Sequence, residues 1–333
     1  MTAAWPPARP IVLVGADGRV GALVRHRLLA ADVPVRPVRR ADDLASAVAG
    51  SSLLLNCASL TPRPRIELAE LAVRAGVGLV DVGGLPAPRE LVGTFGHARL
   101  PLVLGAGMIP GLAEMMPAWL TPAGASGTRI AGYVVTREPL TVGAAQELLD
   151  SGPRSRRWES GREVPAVPLW LAGIPGTPGP MLGLPDLSPA LAAYAARTQP
   201  AELSWFHCHE PDSPVIAHED GPRPTAQQLV SRVSAYLGGR ESPQFVACQV
   251  SGRTSAGRFE IAGVLGGIST YVLTAGAACW FAERTLSQPS EWSGGWAGDA
   301  FGVEDLALVA RRSGVPVAQR WSGSLSDWHE GTL

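Results

Sequence analysis

A glycine-rich segment near the N-terminus has the residue types and spacing of a phosphate-binding turn. Residues 11–14 are apolar, and Gly15, Gly18 and Gly21 follow at three-residue intervals before and within the amphipathic residues 20–29. The pattern predicts a buried strand, a tight turn and a helix. Because glycine lets a phosphate approach the backbone and a helix N-terminus offers unpaired N–H groups, the segment could hold a dinucleotide; a glycine turn that binds nothing is the alternative. The predicted contacts are Gly15, Ala16, Asp17, Gly18, Arg19, Val20 and Gly21.

Two arginines indicate which dinucleotide this segment would prefer. Residues 34–38 are typical of a second strand, and Arg39 and Arg40 follow it directly. An acidic residue at this strand end would bind the ribose 2′-hydroxyl of NAD, whereas arginine suits the 2′-phosphate of NADP. We therefore predict NADPH as the cofactor; an ordinary solvated strand end is the alternative.

Small residues follow the next predicted strands. Residues 53–58, 79–84 and 100–104 have strand patterns, and residues 41–49 and 66–75 between them have helical spacing. Strands that alternate with helices predict a parallel sheet, whose carboxyl ends lie on one edge and face the ligand. The predicted cofactor contacts at these ends are Cys57, Ala58, Ser59, Gly83, Gly105, Ala106 and Gly107.

The composition excludes several function classes. The 333-residue chain has a formal net charge of −1, so its charge balance does not favour nucleic acid or a membrane surface as a partner. All 28 basic residues are arginine, which excludes Schiff-base, P-loop and Tyr-x-x-x-Lys chemistry. The four cysteines are scattered without a C-x-x-C pair, and no run is apolar for long enough to span a membrane. We expect a cytoplasmic protein that acts on a small molecule.

A hydride-transferring cofactor requires the protein to supply a proton and to position the substrate. Without lysine, the proton must come from tyrosine, histidine, an acid or water. We predict Tyr271 and His209 as catalytic candidates and Arg137 as a partner for a substrate carboxylate. The alternatives are a packed tyrosine, an ordinary surface or core histidine, and a surface ion pair of Arg137. His207 and His209 could together bind a metal, but no third ligand is secured, and we predict no metal site.

The pattern of the chain changes after residue 124. Residues 130–136 are strand-like, and residues 203–208 and 245–251 alternate like strands of an antiparallel sheet, which indicates a second, α+β domain. Residues 173–189 are so rich in glycine and proline that they predict an irregular loop, either a lid or a connector. Residues 321–333 are polar with two tryptophans and are expected to pack on the surface or fray.

The motifs occur in an order that can be compared with known families. The glycine turn is followed by Leu-Asn-Cys-Ala at 55–58, by Val-Asp-Val-Gly-Gly at 80–84 and by Gly-Ala-Gly-Met-Ile-Pro-Gly-Leu at 105–112. This order resembles the saccharopine dehydrogenase-like family of NAD(P)-dependent reductases. The resemblance implies a Rossmann-type parallel sheet in an α/β fold, with an α+β substrate domain inserted before the helices 274–286 and 303–312 return to the sheet.

The resemblance also assigns roles and boundaries. It implies that the glycine turn holds the pyrophosphate, that residues 56–59 lie at the middle of the cofactor, and that residues 105–111 lie beside the nicotinamide, with Pro110 as a predicted substrate contact. Only about a dozen residues separate Arg40 from Leu53, so the adenine side of the sheet lacks a strand and a helix. The predicted division is residues 1–124 with 269–320, then 125–268, and a tail at 321–333.

These observations predict an NADPH-dependent oxidoreductase. Known members of the family make or cleave secondary amines, so the resemblance implies reduction of a C=N bond in a small metabolite. The lysine-free composition and the trimmed sheet suggest a specialised biosynthetic pathway. A carbonyl or C=C reductase, a non-catalytic NADP-binding sensor and a metal-dependent hydrolase centred on His207 and His209 are the alternatives. A homodimer formed through the inserted domain is expected from general frequency alone.

Overall fold

The chain is described by a computed structural model that covers most of its length. The described residues are 9–39, 42–83, 95–151, 155–174, 176–177, 179–216, 223–239, 244–267, 269–287, 295–300, 306, 310, 312 and 317–327. The chain divides into two compact units, the first made of Met1–Leu112 with Tyr271–Gly314 and the second of Ala113–Thr270 with Val315–Leu333.

The secondary structure alternates between strands and helices in the first third of the chain and is richer in strands after it. The strands are β1 (Ile11–Val14), β2 (Val35–Val38), β3 (Leu53–Asn56), β4 (Gly78–Asp81), β5 (Leu102–Leu104), β6 (Ser126–Val135), β7 (Arg156–Glu159), β8 (Arg162–Pro165), β9 (Leu169–Leu171), β10 (Met181–Pro185), β11 (Glu202–His209), β12 (Gln244–Thr254), β13 (Gly257–Gly267), β14 (Gly295–Trp296) and β15 (Val317–Ser322). The helices are α1 (Arg19–Ala30), α2 (Leu44–Val48), α3 (Pro62–Ala75), α4 (Leu112–Leu120), α5 (Val142–Ser151), α6 (Pro189–Thr198), α7 (Ala226–Leu237), α8 (Thr270–Ser287) and α9 (Ala297–Ala300).

The first unit contains a parallel sheet. Among the described residues its strand order is β14-β5-β4-β3-β1-β2, and every neighbouring pair runs parallel. All four residues of β3 and of β4 are buried, as expected for strands covered on both faces. The predicted Rossmann-type parallel sheet is therefore confirmed.

The short connection between β2 and β3 determines the edge of this sheet. Only the five-residue helix α2 lies between these two strands, and β2 is the edge strand next to β1 in the described sheet. β1 thus has β2 on one side and β3 on the other, which creates a switch point where ligands bind in doubly wound sheets. Within the described residues, β2 has no further strand beyond it in this sheet.

Helix positions follow the sequence pattern closely. The helix predicted at 20–29 is α1, which buries Gly21, Val24 and Leu28 along one stripe. The helix predicted at 66–75 is α3, which ends at Gly76 in the left-handed conformation that glycine adopts without strain. The helix predicted at 303–312 lies largely outside the described residues.

The second unit contains a mixed sheet. Its order among the described residues is β15-β13-β12-β6-β11-β10-β9, with β7 also pairing with β11 and β8 pairing with β7. The expectation of an antiparallel sheet is wrong for its centre, because β6 and β11 run parallel. The long connection between these strands contains α5 and α6, which gives the chain enough length to return in the same direction.

Two further predictions for the second unit require correction. The Gly- and Pro-rich residues 173–189 contain the strand β10, which pairs with β11 and β9 and alternates between buried and half-buried residues. Residues 315–320 were assigned to the first domain and 321–333 to a tail, but β15 pairs with β13 in the second sheet. Trp321 packs against the buried core of that sheet, so hydrophobic burial decides its place.

The described residues contain no helix that is both long and apolar enough to cross a membrane. The four cysteines Cys57, Cys208, Cys248 and Cys279 are all free thiols.

Candidate functional site

The glycine turn connects β1 to α1 at the switch point of the first sheet. The N–H of Gly18 donates to the carbonyl oxygen of Gly15 at 3.0 Å, and α1 begins at the next residue. Gly18 provides no side-chain cap, and no acidic residue occupies the first turn of α1. A helix end without a side-chain cap or a nearby acidic side chain is one that the helix dipole makes favourable for an anion.

Two of the three glycines are required by close backbone packing. Gly15 has φ +77°, and a Cβ there would lie 2.7 Å from the backbone nitrogen of Ala58. A Cβ at Gly21 would overlap the carbonyl group of Gly15. At Gly18 a Cβ would lie 3.2 Å from the Gly15 oxygen, and its φ of −74° suits any residue. Gly15 and Gly21 shape the turn, whereas Gly18 leaves space beside it.

A buried polar network connects the ends of β3 and β4 to the segment that packs against the glycine turn. Asp81, the last residue of β4, pairs with Arg65 of α3 at 2.8 Å, and both side chains are 1% exposed. Asn56, the last residue of β3, donates to Asp81 at 2.9 Å. The Asn56 side chain also accepts from the N–H of Ala58 at 3.1 Å, the residue against which Gly15 packs. The network therefore holds the segment after β3 against the glycine turn.

Gly83 belongs to the same network. Its N–H donates to Asp81 Oδ1 at 3.0 Å, and a Cβ at this position would overlap the Arg65 guanidinium. The predicted contact Gly83 thus has a structural role that the sequence pattern did not show.

Burial is the largest influence on the pKa values of Asp81 and Cys57. It raises the pKa of Asp81, and Arg65, the Gly83 N–H and the Asn56 amide oppose that rise. Burial also raises the pKa of the Cys57 thiol well above its ordinary value, with the nearby Cys279 and Asp81 adding to the effect. Cys57 therefore stays a protonated thiol at neutral pH and is not an activated nucleophile.

Arg39 follows β2 directly at the carboxyl edge of the sheet. Its Nε lies 3.0 Å from Asp17 Oδ2 in the glycine turn, and both side chains are exposed. Its backbone N–H donates to Asp42 at 2.7 Å. Within the described residues its two terminal guanidinium nitrogens have no partner, so the outer edge of the group faces solvent. Arg40 lies outside the described residues.

Helix α8 contacts two of the predicted cofactor segments. The Arg19 guanidinium lies 4.2 Å from the centre of the Tyr271 ring, within cation–π distance. One turn later, Thr274 accepts a hydrogen bond from the N–H of Met108 at 3.2 Å, in the segment after β5. A Cβ at Gly107 would lie 3.1 Å from the Thr274 methyl carbon. Tyr271 thus lies beside the glycine turn, and Thr274 lies beside the segment 105–111.

The second unit has its own polar cluster after β6 and β11. Arg137 pairs with Glu210 at 2.9 Å, with side-chain exposures of 17% and 24%. The Tyr236 hydroxyl donates to Glu210 and, at 2.9 Å, to Asp212. Burial and these two carboxylates raise the pKa of Tyr236, so it remains a protonated donor. The neighbouring Glu138 accepts hydrogen bonds from Ser269 and Thr270.

The two histidines of β11 have different neighbours. His207 Nε2 lies 3.2 Å from Asp186 Oδ2. His209 ends the strand and pairs in register with Leu182. In the part of the chain that the structure describes, no group of three or more His, Cys, Asp or Glu side chains could hold a metal ion.

The structure brings most of the predicted cofactor residues to one sheet edge. Residues 57–59, 83 and 105–107 follow β3, β4 and β5, which run parallel to β1 and so end on the same side as the glycine turn. Arg137 and His209 belong to the second unit. The sequence did not point to Arg65 or to the structural roles of Asn56 and Asp81. Asn56 and Asp81 could have been found as polar residues at the ends of two apolar strands. No sequence pattern around Arg65 indicates that it is buried.

A parallel sheet with a glycine turn at its switch point places the first unit in the class of doubly wound α/β folds. More particularly, apo saccharopine dehydrogenase (L-Glu forming) from Saccharomyces cerevisiae matches with a TM-score of 0.63 and 11% identity, covering 95% of this chain and 100% of that chain. The chain therefore shares the fold of this saccharopine dehydrogenase, as the order of its motifs predicted.

Other solved structures match this chain with lower TM-scores. C. glutamicum DAP dehydrogenase in complex with DAP has a TM-score of 0.48 and 13% identity over 91% of this chain and 95% of that chain. An engineered D-amino acid dehydrogenase bound to NADP+ has a TM-score of 0.47 and 14% identity over 88% and 94%. No family model matches the sequence, and no curated protein matches it.

Proposed function

We propose that this protein is an NADPH-dependent reductase of a C=N bond in a small metabolite. The main support for a dinucleotide cofactor is the glycine turn at the switch point. Gly15 and Gly21 leave no room for a side chain there, and the N-terminus of α1 has no side-chain cap. The choice of a C=N bond rests on the fold shared with saccharopine dehydrogenase and on the family resemblance of the motifs. Fold alone does not define a substrate, so a carbonyl or C=C bond would be reduced at the same site by the same cofactor.

The residues at the sheet edge fit a dinucleotide. The glycine turn would hold its pyrophosphate, Arg39 its 2′-phosphate and residues 57–59 its middle, while residues 105–111 would border the nicotinamide. The proposed preference for NADPH follows from Arg39, whose outer guanidinium edge faces solvent while Asp17 holds its Nε. When bound, NADPH would supply a hydride to the carbon of the C=N bond.

The protein must then deliver one proton to the nitrogen. Tyr271 is the proposed donor because its ring lies against Arg19 in the same unit as the glycine turn. The Arg19 cation would stabilise the negative charge that forms on the phenol oxygen when the proton leaves. His209 remains the second proposed donor.

Arg137 is the proposed site for a carboxylate of the substrate. It is largely buried and already shares its charge with Glu210, so a bound carboxylate would compete with that partner. The Arg137–Glu210 pair therefore offers both a cation and an anion to a substrate that carries both charges.

Arg39→Ala is expected to weaken NADPH binding by about 10- to 100-fold, which is the effect of losing one or two charge-assisted hydrogen bonds. NADH binding should change by less than about threefold, because NADH has no 2′-phosphate. Fluorescence titration of both nucleotides, with the tryptophans as energy-transfer donors, measures the two constants.

Arg25→Ala is the matched control, because it removes an exposed arginine from α1 of the same unit without touching the sheet edge. It should leave both constants unchanged. Equal binding of NADH and NADPH by the unaltered protein would contradict the proposed preference. A failure of both nucleotides to bind would overturn the cofactor itself.

Tyr271→Phe is expected to lower kcat by about 10²- to 10⁴-fold, the usual contribution of a general acid. The phenylalanine ring keeps its contact with Arg19, so NADPH affinity should stay within about twofold. The measurement follows NADPH oxidation with a panel of imines, ketones and activated alkenes.

His209→Gln separates the two proton donors in the same assay. If His209→Gln lowers kcat strongly and Tyr271→Phe leaves kcat unchanged, His209 rather than Tyr271 is the proton donor. NADPH binding without turnover of any member of the panel would favour a sensor over a reductase. Turnover of saccharopine would contradict a role in a specialised pathway.

A further inference from the structure

A groove in the second unit is lined by arginines that the proposed reaction does not use. It lies where β6 begins and where the β12–β13 hairpin turns, and its volume is about 640 Å³. Six of its lining residues are polar, and we refer to it as the arginine groove. They are Ser126, Arg129, Ser251, Arg253, Arg258 and Glu260. The volume lies in the range of pockets that hold small molecules.

Two of these arginines face each other across the hairpin. Arg253 of β12 and Arg258 of β13 are direct partners in the antiparallel ladder. Side chains at such positions have Cβ atoms about 5 Å apart, and like charges there destabilise the sheet. The pairing of β12 with β6 also shifts register between Ser251 and Arg253, an irregularity that redirects side chains. The hairpin thus concentrates positive charge at a cost that a bound anion would remove.

Most side-chain hydrogen-bond donors of the arginine groove make no bond within the part of the chain that the structure describes. Within the described residues, Arg253 and Arg258 make no ion pair or side-chain hydrogen bond, and the hydroxyls of Ser126 and Ser251 have no hydrogen-bond partner. Arg129 is 71% exposed and lies 3.8 Å from Glu202.

The nearby acidic groups do not neutralise these arginines. Glu202 also lies 3.9 Å from Arg157, which shares its charge. Glu260 accepts a hydrogen bond from Gln249. With three arginines and one glutamate in its lining, the groove retains a positive charge.

The groove is separate from the polar cluster around Arg137. That residue follows the carboxyl end of β6, whereas the groove lies at the amino end of the same strand. Ten residues of extended chain span about 30 Å, which is too far for one small molecule to bridge.

We propose that the arginine groove binds a small molecule with a multiply charged oxyanion, as a site apart from the reductase chemistry. Guanidinium forks bind carboxylate and phosphate oxygens in pairs, and the two serine hydroxyls complete the donor set. A phosphate ester, a diphosphate or a polycarboxylate shares this chemistry.

Inorganic pyrophosphate and citrate are the two probes. Each is titrated into the full-length protein by calorimetry, and hydrogen exchange is measured with and without the anion. We expect protection of amides in residues 251–260 and a Kd that rises with salt concentration. The Arg253→Gln, Arg258→Gln double variant should weaken binding at least tenfold. The tighter of the two probes identifies phosphate or carboxylate as the preferred group.

Arg162→Gln is the matched control, since it removes an exposed strand arginine of the same unit from another hairpin. It should leave binding unchanged. Without anion at low salt, the double variant should be as stable as the unaltered protein or more stable, because like-charge repulsion is removed. Protection confined to the glycine turn, equal binding by the double variant or a loss of stability in that variant would overturn the proposal. Protection of the glycine turn would support the proposed cofactor site while it overturns the arginine groove, and the other two outcomes do not bear on NADPH binding, so the failure of each proposal can be distinguished.

Discussion

Replacement of Gly21 by alanine is expected to destabilise the first unit by about 1–3 kcal/mol, the usual cost of overpacking, and to abolish measurable NADPH binding. The added methyl group would overlap the carbonyl of Gly15, so the turn and the start of α1 must move apart. Thermal unfolding followed by circular dichroism gives the first effect, and nucleotide titration gives the second.

Gly18→Ala is the control within the same turn. Its φ of −74° suits alanine, and its Cβ would be 3.2 Å from the Gly15 oxygen, so stability should change by less than about 1 kcal/mol. A normally folded Gly18→Ala protein with weakened NADPH binding would locate the pyrophosphate beside this residue. Unaltered stability and binding in Gly21→Ala would show that the turn does not have the described geometry.

Asp81→Leu is expected to lower the free energy of unfolding by about 3–5 kcal/mol. The substitution leaves the guanidinium of Arg65 buried without its carboxylate, and removal of one partner of a buried ion pair has this cost. Asn56 also loses the acceptor for one of its amide protons. Denaturant unfolding measures the change.

Two further variants test whether the buried pair is the cause. The double variant Arg65→Met, Asp81→Leu should recover more than half of the lost stability, because an apolar pair leaves no buried charge. Glu67→Ala breaks the exposed pair with Arg63 on the same helix and should cost less than about 1 kcal/mol. A double variant as unstable as Asp81→Leu would show that the loss comes from another feature of Asp81.

The sequence determined most of the first unit before any tertiary information. Apolar runs of four residues, glycine at the turns and helical spacing between them define β1, α1, β3, α3 and β4, because each signal is local. The edge position of β2 in the described sheet could also be predicted, since it followed from the short connection between β2 and β3. The homodimer and the assignment of individual site residues stay predictions.

The second unit was less predictable because its strands pair over long distances in sequence. Residues 202–209 have the same alternation whether their neighbour runs parallel or antiparallel, so only the fold places β11 parallel to β6. The strand β10 lies in a Gly- and Pro-rich segment where local propensity opposes a strand. Pairing on both edges and burial of Met181 outweigh that propensity.

The candidate site shows the same division. The amino-acid sequence by itself determined the glycine turn and the arginine at the end of β2, because both depend on residues close together in the chain. Only the tertiary structure decided that Arg65 pairs with Asp81, that Arg137 pairs with Glu210 and that Arg253 opposes Arg258. Charged side chains select their partners through burial and sheet register, and neither leaves a periodic pattern in the sequence.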